Sequence, residues 1–265
     1  LEVALLVDGE WRIETVEMAE RSRTFVFRLD AEPEAACVDP RDRILKTLSF
    51  KRPVSELEAV LEKAPWAPAR FEAATALGSN GSPRAVKALV RALCDDEFWG
   101  VQAAAAAALG ATRSDEACRA LAKALGSHEH PKTRRAIAAA LGSFRNANAA
   151  RALSRVLSGK EPSWLVKGAA AGALGRTRQA GAFEALSKQL GSKATSWNEV
   201  VRCGVMAGLG ALGPEYRDEV VSALLPWTQP KKFVRCQQAA AKALSAIGRG
   251  DERARQLPLA ERATV

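Results

Sequence analysis

The sequence contains few of the residues on which catalytic and metal sites depend. Among its 265 residues are two histidines, His128 and His130, and one tyrosine. The histidines lie just before Pro131, in a predicted turn that offers a metal ion too few further ligands. The chain has no H-E-x-x-H, P-loop or G-x-S-x-G motif, and no Cys–His–Asn set is apparent. We therefore predict no catalytic residue, no metal site and no cofactor in this chain.

The cysteines and the lengths of the apolar runs indicate in which cellular compartment the chain is expected. The five cysteines are odd in number, widely spaced and free of C-x-x-C pairs, which argues against a disulfide framework or a zinc site. This favours a reducing, cytoplasmic environment. The longest apolar run, Ala103 to Leu109, is far shorter than a membrane-spanning helix. No secretory signal opens the chain, and the initial Leu suggests a fragment.

What the sequence does have is an internal repeat. Basic or polar residues recur at steps of 32, 32, 33, 35 and 33 residues, and each precedes an Ala- and Gly-rich stretch. These anchors are Arg70, Gln102, Arg134, Lys167, Arg202 and Arg235. A second, Leu-bearing motif recurs about half a period earlier, as in Lys87 to Leu93. Two alternating helical motifs at this period are typical of HEAT-type repeats, and they predict a mainly α protein with a HEAT-like α-solenoid of about six helix pairs.

Helix boundaries follow from the apolar period and from Gly and Pro. The predicted pairs are 54–64 with 70–77, 83–94 with 98–109, 114–125 with 132–141, 147–157 with 163–174, 179–190 with 198–212, and 215–227 with 232–247. Six glycines follow the second helices and are predicted C′ residues: Gly78, Gly110, Gly142, Gly175, Gly213 and Gly248. The repeat domain is expected to span 54–250, with a charged tail at 251–265.

Residues 1–53 follow a period of two instead. Alternation around Asp8-Gly9 predicts a hairpin, and Thr24 to Leu29 and Ala36 to Val38 predict further strands. Three or four strands are too few to close a sandwich, so we expect a partial β-sandwich. This region should be the least stable part of the chain.

Residue size distinguishes the two kinds of helix. First helices carry Leu, and second helices are built from Ala and Gly, as at Ala105, Ala138 and Gly172. Small residues allow close approach, so the second helices are predicted to form the inner layer and to resist enlargement of these side chains.

Basic residues form two rows. The first is a basic ridge on the first helices, made of Lys87, Arg91, Arg119, Lys123, Arg151, Arg155 and Lys188. It is either a solvated face, the favoured interpretation, or a surface for an anionic partner. The second row, at the start of second helices, contains the candidate binding residues Arg134, Lys167, Arg202 and Arg235. These either bond neighbouring carbonyls and carboxylates or hold a ligand carboxylate.

An aromatic residue recurs at the entry to the second helices. Trp66, Trp99, Trp164 and Trp197 occupy this slot, and Pro131 takes it in the third copy. We expect these side chains to be packing plugs between repeats rather than binding residues.

The order of parts resembles a known family. Strands ending in FVFRLDAEPEAACVDPRDRILKTLSFKRP, with Val38-Asp39-Pro40 and Leu45-Lys46, precede helix pairs. This resembles the C-terminal region of bacterial zinc aminopeptidases related to aminopeptidase N, where a small β-sandwich and a helical superhelix follow the catalytic domain. The resemblance implies a non-catalytic domain that shapes access to the cleft, with zinc only in the missing catalytic domain.

The expected partners are then the protein's own N-terminal domains and a peptide or protein, with neither nucleic acid nor membrane. In a full-length enzyme, Arg134, Lys167 and Arg202 would influence how a peptide C-terminus is sensed. Two alternatives stay open: a free-standing HEAT scaffold capped by the strands, and a non-catalytic subunit of the transcription machinery that resembles an aminopeptidase.

The missing ligand motifs generate a first prediction. The isolated chain should hydrolyse no aminoacyl chromogenic substrate and should carry no stoichiometric zinc, since only His128 and His130 could supply imidazole ligands. Turnover assays and metal analysis check this. Hydrolysis that a chelator abolishes would contradict it.

Overall fold

A computed structural model describes residues 1–192, 199–230 and 232–248. By its internal contacts the chain divides into two compact units, Leu1–Ala117 and Cys118–Val265. The first unit contains a small sheet and four helices, and the second contains the later helices. The predicted tail, 251–265, lies outside the described residues.

The first unit begins with one antiparallel sheet. Strands β1 (Glu2–Val7), β2 (Glu10–Thr15) and β3 (Ala35–Val38) are arranged in the order β2-β1-β3. The predicted hairpin is confirmed, with φ of 48° at Asp8 and 81° at Gly9, the left-handed geometry of a two-residue turn. Within the described residues these strands form a single sheet, so a β-sandwich remains a prediction.

The strand predicted at Thr24 to Leu29 is wrong. The segment does show alternating burial, because Phe25, Phe27 and Leu29 are half-buried between exposed neighbours. It nevertheless pairs with no strand among the described residues. Alternating hydrophobicity records which side of an extended chain faces the core. It does not require a partner strand for backbone hydrogen bonds.

The sheet is attached to the first helix pair, α1 (Val54–Lys63) and α2 (Ala67–Leu77). The indole of Trp11 donates to the Lys63 carbonyl at 2.9 Å, and its ring meets that of Trp66 edge-on at 5.3 Å. The Glu56 carboxylate accepts from the Ala36 amide at 3.0 Å. These contacts join both ends of α1 and the start of α2 to two strands, so the sheet covers the start of the repeats within this unit.

A buried carboxylate fixes the chain where it leaves the sheet. The Asp39 side chain is 2% exposed and accepts from the Arg43 and Ile44 amides at 3.0 Å each and from Lys46 Nζ at 2.7 Å. Burial alone raises the pKa of the Asp39 carboxyl, but these hydrogen bonds outweigh it and lower the pKa to about 2. The segment following β3 therefore has a defined conformation.

Helix pairs occupy the rest of the described chain, as predicted. After α2 come α3 (Pro83–Asp95), α4 (Trp99–Thr112), α5 (Asp115–Ser127), α6 (Pro131–Leu141), α7 (Ala147–Ser158), α8 (Trp164–Thr177), α9 (Ala182–Leu190), α10 (Glu199–Leu209), α11 (Arg217–Leu224) and α12 (Val234–Gly248). Several boundaries differ from the predicted ones, and two of the differences have a visible backbone cause. Helix α9 begins later because Gly181 has φ of 80°, and α11 is flanked by 3₁₀ turns at Pro214–Tyr216 and Leu225–Thr228.

Side-chain size distinguishes the two helix types, as expected. First helices bury Leu, such as Leu89 and Leu153, while second helices bury Ala, such as Ala105 and Ala138, all fully inaccessible. Second helices pack directly on one another in each unit: α2 on α4, and α6, α8, α10 and α12 in succession. The small residues thus lie where helix axes approach most closely.

The glycines at the ends of second helices have a different role from the one predicted. Gly110 and Gly175 lie inside α4 and α8, which end instead at left-handed Arg113 and Arg178. Gly78 and Gly142 have right-handed φ of −60° and −65°. Gly213 precedes a 3₁₀ turn with φ of −70°, and Gly248 closes α12. The prediction of C′ glycines in left-handed geometry is therefore wrong.

Close helix contact accounts for Gly78 and Gly175, and for Gly204 in α10 as well. A Cβ on Gly175 would lie 1.8 Å from the carbonyl oxygen of Gly208 in α10, and one on Gly78 would lie 2.9 Å from Ala108 in α4. Gly204 faces the Gly168 carbonyl in the same way, at 2.2 Å. No side chain fits between these backbones, so the glycines permit the approach of neighbouring second helices.

This contact predicts opposite effects for one substitution at two helical glycines. Gly175→Ala should destabilise the protein by about 1–3 kcal/mol or more, because its methyl group would overlap α10. Gly126→Ala in α5, where a Cβ meets nothing within 4 Å, should instead stabilise by up to about 1 kcal/mol. Urea unfolding of both variants provides the measurement. Equal effects would contradict the proposed helix contact, as would an unchanged midpoint for Ala138→Leu.

Candidate protein-docking surface

The repeated basic slot of the second helices is occupied by a buried arginine in the first unit. Arg70 bonds both carboxylate oxygens of Asp96, at 2.8 and 3.1 Å, and donates to the Ala64 carbonyl at 2.9 Å. The arginine side chain is 8% exposed and the aspartate 5%. The hydrogen bonds that the guanidinium donates to the Asp96 carboxylate raise the pKa of Arg70. The end of α1, the start of α2 and the α3–α4 loop are thereby tied together.

Arg134 repeats this arrangement in the second unit. Its guanidinium bonds both oxygens of Glu161, at 3.1 and 2.8 Å, and the carbonyls of His128 and Glu129, at 3.0 and 2.5 Å. The two side chains are 13% and 9% exposed. Each nitrogen of the guanidinium therefore already has a protein partner. This is the carbonyl and carboxylate contact that the sequence offered as one alternative for the slot.

Other copies use only part of the arrangement. Gln102 donates to the Asp96 carbonyl at 2.7 Å, and Arg202 to that of Ser192 at 3.3 Å. In the last copy Gln237 makes the carbonyl bonds, to Gln229 and Lys232. Sequence reasoning missed Gln237 because it stands two residues after the expected Arg235.

The remaining candidates have unlike surroundings. The Lys167 ammonium lies 5.9 Å from the Trp164 ring centre, and the Arg202 guanidinium lies 4.7 Å from that of Trp227. Arg235 is exposed. Arg134, Lys167, Arg202 and Arg235 thus form no common pocket that we can describe, and ligand binding by them stays a prediction.

The aromatic slot is less uniform than the expected packing plugs. Trp66 is half-buried against Trp11 and lies within cation–π distance of Arg41. Trp164 is 40% exposed, so it does not fill an interior gap. It is the first residue of α8, beside the Lys167 ammonium. Trp197 lies outside the described residues.

The basic ridge consists of exposed side chains at all seven positions. In the first unit Arg91 is paired, with Nη2 at 2.5 Å from Glu58, and Arg84 shares the same carboxylate. The second unit differs. Here we define a basic face of exposed cations on α5, α7, the loop after α7, and α9, none of which forms an ion pair with any described residue: Arg119, Lys123, Arg151, Arg155, Lys160 and Lys188.

The two units have opposite charge, which sequence analysis missed by considering the chain as a whole. Residues 1–117 contain 15 Lys and Arg against 20 Asp and Glu. Residues 118–265 contain 24 against 10. The overall formal charge of +9 therefore arises entirely from the second unit. Counting charge separately on each side of residue 117 reveals the division.

Two similar grooves illustrate this difference. One lies between α1 and α3, has a volume of about 490 Å³ and is lined by Glu58, Glu62, Asp95, Asp96 and Glu97 beside Arg70 and Arg91. The other lies between α5 and α7 and has a volume of about 480 Å³. It is lined by equivalent positions 64 residues later, with Arg155, Lys160 and His128 around the Arg134–Glu161 pair.

The described residues offer no cluster for other chemistry. No group of three or more His, Cys, Asp or Glu among them is placed to hold a metal ion. Burial raises the pKa of Cys37 and of Cys203 to about 11, so both thiols are protonated near neutral pH and are poor nucleophiles. No helix within the described ranges is long and apolar enough to cross a membrane.

The Arg134–Glu161 pair generates a stability prediction. Arg134→Met should cost about 2 kcal/mol, because it removes the cation beside a nearly buried carboxylate, which keeps only the Ser163 amide as a donor, and the guanidinium donor to two carbonyls. Arg155→Met, on the exposed part of α7, should change the free energy of unfolding by less than about 0.5 kcal/mol. Chemical denaturation compares them. An Arg134→Met variant with an unchanged free energy of unfolding would mean that this guanidinium is available to a ligand instead.

Comparisons with known proteins identify the repeats. HEAT repeats are matched by residues 54–128 and 119–197. No curated protein matches the chain. Similar solved structures include an engineered protein, with 23% identity over 74% of this chain and 97% of that one and a TM-score of 0.42.

Two natural proteins are also similar. A phycocyanin lyase complex from Nostoc has 19% identity, covers 84% of this chain and 95% of that one, and gives a TM-score of 0.42. Human deoxyhypusine hydroxylase has 19% identity over 74% of this chain and 84% of that one, and gives a TM-score of 0.35. These similarities are too low to support any argument about activity.

None of these comparisons indicates a relative of aminopeptidase N. The matched repeats, in contrast, cover more than half of the chain and coincide with the helix pairs from α1 to α9. The protein therefore belongs to the HEAT-repeat family.

Proposed function

We propose that this chain is a non-catalytic HEAT-repeat scaffold that binds an acidic protein partner through the basic face of its second unit. Stacked helix pairs present extended surfaces, and such repeats are suited to protein recognition. The proposal places the partner on α5, α7 and α9, whose exposed sides carry the unpaired cations.

The observation that carries this proposal is the absence of ion pairs between the basic face and the part of the chain that the structure describes. At the equivalent position of the first unit, Glu58 neutralises Arg91. In the second unit Arg155 has no such carboxylate, because Ala122 stands where Glu58 would be. Like charges held on one surface repel one another, and an anionic partner relieves that repulsion. A chain with 24 basic and 10 acidic residues from 118 onward has few carboxylates of its own to do so.

A protein partner fits this face better than single-stranded nucleic acid does. Binding of single strands combines cations with aromatic side chains on which bases stack. Helices α5 and α7 contain no aromatic residue, and Phe183 of α9 is already stacked on Tyr216, with ring centres 5.5 Å apart. The carboxylates of a protein segment need only the cations, so we propose Asp- and Glu-rich protein surface as the ligand class and neither nucleic acid nor membrane.

Charge removal on the basic face tests the proposal. A Glu-rich synthetic peptide should bind the full chain, and the combined variant Arg119→Gln, Lys123→Gln, Arg151→Gln and Lys188→Gln should lose most of this affinity. Charges at the edge of an interface contribute chiefly to the association rate and to the salt dependence of binding. The variant should therefore associate more slowly, and its affinity should depend less on salt concentration. Fluorescence anisotropy at several salt concentrations provides the measurement.

The chain offers a matched control in its first unit. The double variant Lys87→Gln, Arg91→Gln removes two cations from α3. They stand one repeat before Arg119 and Lys123, where the local surface is acidic. This variant should bind the peptide as the parent does. Equal losses in both variants would contradict a localised surface, and tighter binding of double-stranded DNA than of the peptide would contradict the proposed ligand class.

A second candidate keeps the aminopeptidase resemblance. The observation favouring it is the order of a three-stranded sheet followed directly by HEAT pairs. In that case the chain would shape access to a catalytic cleft in its own preceding domains, and zinc would be bound there rather than here. Coding sequence upstream that contains H-E-x-x-H with a Glu some twenty residues later would support this candidate. Upstream sequence without that motif would remove it.

A further inference from the structure

The groove between α5 and α7 has apolar walls and a basic rim. Its walls include Ala122 and Leu125 from α5 and Ala152 and Val156 from α7. Arg155 and Lys160 stand at its edge, and both are exposed. The volume, about 480 Å³, is in the range of pockets that accept a large side chain or a small ligand.

Particular substitutions between copies of the repeat change the lining of this groove, while its volume stays close to that of the first. Glu58 and Glu62 of the first groove are replaced by Ala122 and Gly126 in the second. A Cβ on Gly126 would meet nothing within 4 Å, so the position opens onto empty space. Asp96 is likewise replaced by Lys160. The second groove thus has nearly the volume of the first, about 480 Å³ against 490 Å³, but small and basic residues line it where carboxylates line the first.

The end of α5 does not cancel the positive charge of the groove. The C-terminus of a helix carries partial negative charge on its free carbonyls, which disfavours an anion. At the end of α5 the Arg134 guanidinium covers the carbonyls of His128 and Glu129. Glu161, the carboxylate in the lining, is engaged by the same guanidinium. Arg155 and Lys160 therefore stay available to an incoming carboxylate.

We infer that this groove receives an apolar side chain from an acidic protein segment, while carboxylates beside that side chain contact Arg155 and Lys160. The inference rests on the proposed function and adds to it the chemistry of the partner. The basic face attracts the segment, and the groove selects the sequence register in which a Leu-like residue lies between acidic ones. An apolar anchor in a pocket with a charged rim is the usual arrangement at the centre of a protein interface.

Two synthetic peptides test the inference with the full chain. Both consist of Glu and Gly, and one has Leu at its centre where the other has Gly. The parent should bind the Leu peptide about tenfold more tightly, because part of one Leu side chain leaves water. Ala122→Leu fills the groove without changing charge and should bring the two affinities together. Ser154→Leu, at the equivalent position of α7, should keep the difference.

Charge can be tested by transferring the first groove into the second. The combined variant Ala122→Glu, Gly126→Glu and Lys160→Asp copies residues that α1 and α3 already carry. A carboxylate at position 122 would face Arg155 as Glu58 faces Arg91. This variant should lose affinity for both peptides. Circular dichroism establishes that each variant is folded, and Gly126→Leu substitutes for Ala122→Leu if the latter unfolds.

The outcomes separate the two proposals. Failure of the parent to bind either peptide overturns the proposed function and this inference with it. The parent chain could bind both peptides equally while the variant with four Gln substitutions on the basic face loses affinity for them. That result would overturn only the inference about the groove. A Leu preference that survives groove filling also overturns it. Anionic lipid vesicles or duplex DNA that compete more strongly than the Leu peptide would show a different class of partner.

Discussion

The close approach of successive second helices is the constraint on which the rest of this structure depends. At Gly175 and Gly204 the neighbouring backbone occupies the space of a side chain. Around them Ala138 and Ala171 are fully inaccessible. Dense packing of this kind leaves no freedom to move one helix without moving the next. Each second helix is therefore fixed by its neighbours before any polar contact is considered.

First helices can vary in charge because the second helices fix the repeat. The Arg70–Asp96 and Arg134–Glu161 contacts tie the loops to this layer in both units. Above the same geometry, the groove between α1 and α3 is acidic and the one between α5 and α7 is basic. Equivalent positions such as Glu58 and Ala122 differ without altering the helices that bear them. A stable repeat with a variable outer surface is the physical basis for the proposed binding role.

Sequence reasoning predicted the architecture well because the fold repeats. Apolar period, Pro and loop residues recur every 32 to 35 residues, so errors at one boundary are corrected by the next. It failed where one residue type serves two purposes. Gly at the end of a helix is equally compatible with a left-handed cap and with close backbone contact, and only coordinates distinguish Gly175 from a cap. The aminopeptidase resemblance rested on domain order, which the comparisons do not support.

The candidate surface was visible in sequence only in part. The basic ridge was found from its period, but its division into paired and unpaired cations depends on whether a carboxylate such as Glu58 lies within reach. The slot containing Arg134 was found as well, yet its partner Glu161 stands 27 residues away and could not be assigned by spacing. Sequence thus located the cations, whereas their electrostatic state required the structure.

Amide hydrogen exchange tests the central claim most directly, since it measures how firmly each helix is held. If packing of second helices fixes the repeat, amides in α8 and α10 should exchange most slowly, and those in α7 and α9 should exchange measurably faster. Protection that is equal in both layers, or greater in the Leu-bearing first helices, would contradict the account.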